Sequence, residues 1–234
     1  MKIIASVLCS MLLILYSCGL TGGETTPPSS GIYISNASPD APALDVSLND
    51  VLLASGYTYS TDSGYFLTAP GTYNFKVSKT GSTTSLTDEL LNIPAGKYYS
   101  LFFVDSFSSL QTLFIEDKIT ADTFTYTKLR FFDFCPNSPT VQVIFANKDT
   151  TVENDTLIFP SRYFNDQVAP SNYTNFTPID AGDYNISIYM ADSTATLIKQ
   201  FDNLTFLTGK HYTLYMKGLI DNNATPLDLA IIKY

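Results

Sequence analysis

A proline-containing turn followed by an alternating strand occurs twice in this chain of 234 residues. Residues 38–46 read Ser-Pro-Asp-Ala-Pro-Ala-Leu-Asp-Val, and residues 135–143, 97 positions later, read Cys-Pro-Asn-Ser-Pro-Thr-Val-Gln-Val. Proline fixes the backbone of each turn, and apolar residues at every second position are typical of a strand with one buried face. The recurrence predicts two copies of one β domain.

Further turns recur in the same order, each ahead of another alternating strand. The spacing between the copies grows to 111 residues at Gly71 and Gly182 and to 113 at Gly96 and Gly209. Nearly all of the 14 additional residues gained by Gly182 therefore lie after Val143. This insertion is where the two copies are expected to differ in function.

No sustained apolar pattern of helical period is present, and Tyr, Phe and Thr, which favour strands, are abundant in a chain with 14% aromatic and only 15% charged residues. Short strands joined by Gly and Pro turns predict an all-β fold of two tandem antiparallel β-sandwich domains. The expected domains are residues 31–120 and 127–234, the second a diverged repeat, with the linker near residues 119–127.

The first copy contains three motifs that indicate a family resemblance. They are Ala-Ser-Pro-Asp-Ala-Pro at residues 37–42, Ala-Pro-Gly-Thr-Tyr at 69–73 and Pro-Ala-Gly-Lys-Tyr-Tyr at 94–99. Residues 32–116 resemble the bacterial domain of unknown function 4397, found in secreted and lipid-anchored proteins, often in tandem. The second copy departs from this pattern at its proline turn. The resemblance implies an Ig-like or prealbumin-like sandwich and brings no catalytic residues.

The first thirty residues predict a lipid-anchored envelope protein. The apolar run from Ile3 to Tyr16 is too short to span a bilayer as a helix, which predicts a signal peptide at residues 1–17. Leu-Tyr-Ser-Cys, ending at Cys18, resembles the bacterial lipobox, whose cysteine becomes the lipidated first residue. Residues 18–30 are rich in Gly, Thr, Ser and Pro and are expected to form a flexible tether. The expected location is the outer membrane.

Candidate catalytic groups are few. The only histidine is His211, and Cys135 is the only cysteine left after Cys9 and Cys18 are assigned to the signal peptide and the anchor. A buried structural thiol and a non-enzymatic protein without cofactor or metal are therefore expected. Asp40, Asp45 and Asp50 could form a Ca²⁺ site, although roles in turns and on the surface are favoured.

Four aromatic residues of the insertion, Tyr163, Phe164, Tyr173 and Phe176, could form a platform for a sugar or a peptide. The absence of tryptophan and the abundance of aromatic residues elsewhere count against this hypothesis. A net charge of −9 without a basic stripe excludes nucleic acid as a partner.

The sequence therefore predicts a binding, adhesion or structural lipoprotein, whose partner would be a glycan or a protein at the cell surface. The alternative is a glycan-binding accessory lipoprotein of a polysaccharide uptake system. Short Asp-Ser/Thr motifs, such as Asp155-Thr156-Leu157, also resemble an O-glycosylation acceptor of some bacteria.

Overall fold

A computed structural model describes residues 28–120, 126–151, 155–168 and 171–234. The predicted signal peptide and Cys18 lie outside the described residues. The fold begins slightly earlier than the tether boundary predicted, because Ser30 is buried and starts the first strand. Its hydroxyl donates a hydrogen bond to the Pro94 carbonyl at 2.6 Å.

The first sandwich consists of two four-stranded sheets. Its strands are β1 Ser30–Asn36, β2 Leu44–Leu48, β3 Val51–Tyr57, β4 Phe66–Thr68, β5 Gly71–Lys79, β6 Ser85–Ile93, β7 Tyr98–Val104 and β8 Gln111–Glu116. One sheet has the order β4-β1-β7-β8 and the other β3-β2-β5-β6.

The second sandwich has the same topology. Its strands are β9 Thr127–Asp133, β10 Val141–Asn147, β11 Thr156–Arg162, β12 Thr177–Ile179, β13 Gly182–Met190, β14 Leu197–Phe206, β15 His211–Lys217 and β16 Asp228–Lys233. The sheet orders are β12-β9-β15-β16 and β11-β10-β13-β14, so that each strand corresponds to the one eight places earlier. The all-β fold of two sandwiches is confirmed.

One pairing in each sandwich differs from a purely antiparallel arrangement. Strand β1 pairs with β7 in parallel, and β9 pairs with β15 in parallel. Apolar alternation shows which residues share a face of a strand but carries no information about the direction of its neighbour. The parallel pairs therefore could not be read from the sequence.

Each sandwich has its own core, formed where its two sheets face each other. Ile34, Val46 and Leu101 belong to the first core, and Phe131, Val143 and Leu214 occupy the second. Strands β2 and β10 are buried at every second residue, as their alternation predicted.

A third apolar cluster joins the two sandwiches. It is formed by the opposite faces of the sheets that contain β1 and β9, here called the inner sheets. Its buried members are Tyr33, Ala37, Phe102, Val104, Ile115, Phe132, Phe134, Tyr215 and Ile232. Because both faces of the inner sheets are covered, every residue of β1 and β15 is buried. The two sandwiches therefore stack as four layers of sheet.

The insertion in the second sandwich is divided between two connections. The spacing of equivalent positions is 97 at Leu44 and Val141 and rises to 105 where β3 and β11 begin. It reaches 111 at the start of β4 and β12. The second increase lengthens the connection between β11 and β12, and the described residues of this connection, 163–168 and 171–176, are here called the β11–β12 segment.

Candidate functional site

A groove of about 420 Å³ runs along strand β8 of the first sandwich. Five consecutive residues of β8, Thr112 to Glu116, form one wall, and Lys118 lies at its end. The other wall comes from Gln167, Val168 and Thr174 of the β11–β12 segment. Both sandwiches therefore contribute to the groove.

The edge of β8 that faces the groove has no partner strand in the described part of the chain. Antiparallel pairing with β7 continues past the strand end, where the Asp117 N–H donates to the Tyr98 carbonyl at 2.8 Å. Since hydrogen-bonded positions alternate along an antiparallel pair, the N–H and C=O groups of Thr112 and Phe114 point away from β7. Neither residue has another backbone hydrogen bond within the described part of the chain.

The opposite wall is held by a buried ion pair. Arg162, the last residue of β11, donates from Nε to Asp166 Oδ2 and from Nη2 to Asp166 Oδ1, each at 2.6 Å. The Arg162 guanidinium also lies 4.3 Å from the centroid of the Tyr173 ring. A two-point hydrogen bond fixes the orientation of both side chains, so this pair shapes the β11–β12 segment.

A chain of amides connects the two walls. Asn165 donates to Gln111 Oε1 at 2.8 Å, and Gln167 Nε2 donates to Asn165 Oδ1. The remaining amide atom, Gln167 Oε1, is buried and has no hydrogen-bond partner among the described residues, and the whole residue is only 2% exposed. A buried acceptor without a donor carries a desolvation cost that a ligand could remove. Gln167 was not among the predicted site residues, because a single glutamine in a loop gives no sequence signal.

Arg130 forms hydrogen bonds with both walls of the groove. Its Nη1 donates to the Glu116 carbonyl at the end of β8 and to the Thr174 carbonyl in the β11–β12 segment, both at 3.2 Å. Its Nη2 pairs with Asp117 Oδ1, and both side chains are fully buried. Asp117 Oδ2 also accepts hydrogen bonds from Tyr65 at 2.7 Å and from the Ser100 hydroxyl at 2.8 Å. The position of each wall thus depends on one buried arginine.

The four predicted aromatic residues do not share one exposed face. Tyr163 is 49% exposed, while Phe164 packs against the cluster between the sandwiches. Tyr173 covers Arg162, and the Phe176 ring centroid lies 4.6 Å from the Arg130 guanidinium and 5.0 Å from the His211 ring. Tyr163 is therefore the ring most available for stacking on a sugar.

The two residues considered as catalytic nucleophile and base lie in buried surroundings. Cys135 is free and fully buried, as expected, and burial raises the pKa of its thiol to about 12. Burial, with Lys128 and Arg130 nearby, lowers the pKa of His211. His211 Nε2 is buried without a hydrogen-bond partner.

The three aspartates considered as a Ca²⁺ site each have protein partners. Asp40 accepts from the Phe107 N–H at 2.6 Å, and Asp50 pairs with Lys76 at 2.6 Å. Asp45 accepts from the hydroxyl groups of Ser55 and Thr80 and from two backbone N–H groups. Within the described ranges, no three His, Cys, Asp or Glu side chains are grouped so that they could hold a metal ion.

Comparison with known proteins supports the resemblance stated above. The family model of DUF4397, a domain of unknown function, matches residues 30–144. The match covers the whole first sandwich and ends within β10 of the second. No curated protein matches this chain.

Solved structures with a similar fold have low identity. The CBMbc module, a family 26 carbohydrate-binding module of Eubacterium rectale Amy13K solved with maltoheptaose, is 13% identical and has a TM-score of 0.27. The alignment covers 88% of this chain and 97% of that one. The fimbrial anchor protein Mfa2 of Porphyromonas gingivalis is 11% identical over 88% of this chain and 98% of that one, with a TM-score of 0.24.

None of the described helices is long and apolar enough to cross a membrane.

Proposed function

We propose that this protein is a binding module of the cell envelope, anchored through a lipid on Cys18, that recognises its partner in the groove beside β8. The observation that carries the proposal is the composition of the groove. Its walls come from two sandwiches, Arg130 donates a hydrogen bond to each of them, and Gln167, whose buried Oε1 lacks a donor among the described residues, lines the space between them.

A non-catalytic role fits the placement of the reactive side chains. The Cys135 thiol is buried, with its pKa raised by burial to about 12, so little thiolate forms at neutral pH. His211 and Cys135 are both absent from the residues that line the groove. Besides backbone groups, an amide and an exposed valine, the groove is lined by Glu116, which is paired with Lys97, and by Lys118.

Two single substitutions test the groove as the recognition site. Val168 is 61% exposed in the groove wall, so Val168→Arg fills the groove with little cost to folding. Leu90→Arg is the matched control, because Leu90 is 76% exposed on β6, a strand that does not line the groove. Pull-downs from surface extracts and glycan arrays with the full chain in detergent are expected to lose their partner with Val168→Arg alone. Equal binding by both variants would refute the groove as the site.

The lipid anchor is tested separately. Cys18→Ala is expected to move the protein from the detergent phase to the aqueous phase in phase partitioning, because stable anchoring requires the acyl chains. Retention of the variant in the detergent phase would contradict the anchor.

A glycan is the second candidate ligand, and exposed Tyr163 supports it. Tyr163→Ala is expected to abolish glycan-array binding if a sugar stacks on this ring, whereas Val168→Arg would then have little effect. The outcome separates the accessory glycan-binding role from the groove proposal.

A further inference from the structure

The free edge of β8 presents main-chain groups with the spacing of a strand. The outward N–H and C=O groups of Thr112 and Phe114 are two residues apart, which is about 7 Å along an extended chain. Unpaired groups in this arrangement match the backbone of another extended chain. Residues 112–116 span a length that pairs with about four or five residues of such a chain.

The β11–β12 segment adds a polar contact beside this edge. Gln167 lines the groove, and its Oε1 is buried and lacks a donor among the described residues. A ligand that brings an N–H or O–H group to this oxygen would satisfy it. An amide N–H or a hydroxyl on a peptide supplies such a donor.

The charged and aromatic side chains of the groove favour a peptide over a sugar as the ligand. The aromatic residue in the lining is Phe114, whose ring stacks on Tyr99 at 4.4 Å and belongs to the edge of the first core. That ring is therefore already covered by a neighbour. Glu116 is paired with Lys97, whereas Lys118 contacts the Asn175 amide oxygen at 3.4 Å and has no ion pair with a described carboxylate.

We propose that the groove takes an extended polypeptide strand of a partner protein, which pairs with the free edge of β8 and donates a hydrogen bond to Gln167 Oε1. A carboxylate on this strand lies near Lys118. The proposal rests on the groove being the binding site. Alternate side chains of the strand face Val168 of the second sandwich, so this set is expected to be apolar.

A library of random seven-residue peptides displayed on phage is the probe. Selection is carried out against the full chain in detergent, with counter-selection against Thr112→Pro. Proline at this position removes an outward N–H without removing a hydrogen bond to β7, and edge strands accept proline on that side. The proposal predicts peptides with alternating apolar residues and an acidic residue near one end, which bind Thr112→Pro at least about tenfold more weakly.

The matched control is Ile231→Pro. Ile231 on β16 is the structural equivalent of Phe114, and its N–H also points to an unpaired edge, because the neighbouring hydrogen bond runs from the Tyr234 N–H to the His211 carbonyl at 2.9 Å. This variant is expected to bind the selected peptides as the unchanged chain does. Circular dichroism of both proline variants checks that the strands are retained.

Gln167→Met and a backbone scan of the peptide provide tests that do not depend on proline. Methionine keeps the volume of the side chain but removes the Oε1 acceptor together with the Nε2 hydrogen bond to Asn165, and about tenfold weaker binding is expected. Methylation of successive peptide nitrogens is expected to weaken binding at every second residue only, because alternate N–H groups point toward β8.

The outcomes separate this inference from the proposed function. If no peptide is selected, or if Thr112→Pro binds normally and the methylation scan shows no alternation, strand addition is overturned. In that case, a partner lost with Val168→Arg in pull-downs would still support the groove as the binding site. If Val168→Arg and Leu90→Arg bind every partner equally, the groove itself is rejected.

Discussion

The two sandwiches are alike in their cores and unlike on the faces that meet. Core positions Ile32 and Leu101 of the first correspond to Leu129 and Leu214 of the second, and all four are buried apolar residues. Equivalent positions on the contacting faces differ in size or polarity. Tyr33 corresponds to Arg130, Ser35 to Phe132, Ala37 to Phe134 and Val104 to Lys217.

This difference shows how two similar sheets form an asymmetric contact. Phe102 of the first sandwich packs against Phe132, Phe134 and Tyr215 of the second, with ring centroids 6.1, 4.9 and 5.4 Å apart, and the small Ala37 belongs to the same cluster. Arg130 replaces a tyrosine and thereby gains Asp117 as a partner in the first sandwich. Arg130 also donates to the Glu116 and Thr174 carbonyls, which joins the end of β8 to the β11–β12 segment.

The largest effect is expected from Arg130→Met, which removes the arginine that the second sandwich has where the first has Tyr33. The variant leaves Asp117 buried without its cation, and breaking a buried pair in this way costs about 3–5 kcal/mol of unfolding free energy. Urea unfolding of the full chain in detergent measures the loss.

The control for this variant is Lys97→Met, which removes the nearby Lys97–Glu116 pair. Its lysine is half exposed, so little change in stability is expected. Equal effects of the two variants would show that the buried pair does not join the sandwiches.

A smaller effect is expected at the proline turns, where Asn36 corresponds to Asp133. Asn36 Oδ1 accepts from the Ser38 N–H at 3.0 Å, and Asp133 Oδ1 accepts from the Cys135 N–H at 2.9 Å. Burial raises the pKa of Asp133 to about 6, so the folded state holds the proton more tightly than the unfolded chain. The stability of the protein therefore falls as the pH rises from about 4 through about 6.

Asp133→Asn removes this dependence and makes the two turns equivalent. The variant is expected to be more stable than the unchanged chain, by an amount that grows from pH 4 to pH 7 and is on the order of 2–3 kcal/mol at pH 7. Urea unfolding at four pH values measures the difference. The reciprocal Asn36→Asp is expected to show the opposite trend, and a difference that does not vary with pH would contradict the role of Asp133.

The sequence predicted those elements whose burial repeats in a simple way. Strands β2 and β10 bury every second residue, and turns with glycine mark their neighbours. Gly96 and Gly209 have φ of 68° and 71° at equivalent turns, a region that favours glycine. Strands β3 and β6 were not predicted, because they are largely exposed and their apolar residues do not alternate. Pairing with neighbours, rather than their own pattern, fixes such strands.

The contact between sandwiches carried a signal that the prediction did not use. In β7, Leu101 and Phe103 belong to the first core, and Phe102 and Val104, which alternate with them, are equally buried. An unbroken apolar run indicates a strand covered on both faces. The groove had no comparable signal, because a free edge is defined by the partner that a strand lacks.

The smallest effect concerns one hydrogen bond across the contact. The hydroxyl groups of Ser35 and Tyr215 lie 2.8 Å apart and are buried, and the residue equivalent to Tyr215 in the first sandwich is Phe102. Tyr215→Phe therefore makes these two positions alike and leaves the Ser35 hydroxyl without this partner. The expected loss is about 1–2 kcal/mol of unfolding free energy. In the double variant with Ser35→Ala, both polar groups are gone, so part of the loss is expected to be recovered. Urea unfolding of the four proteins gives the coupling energy, and a value of zero would show that this hydrogen bond adds nothing to the stability of the contact.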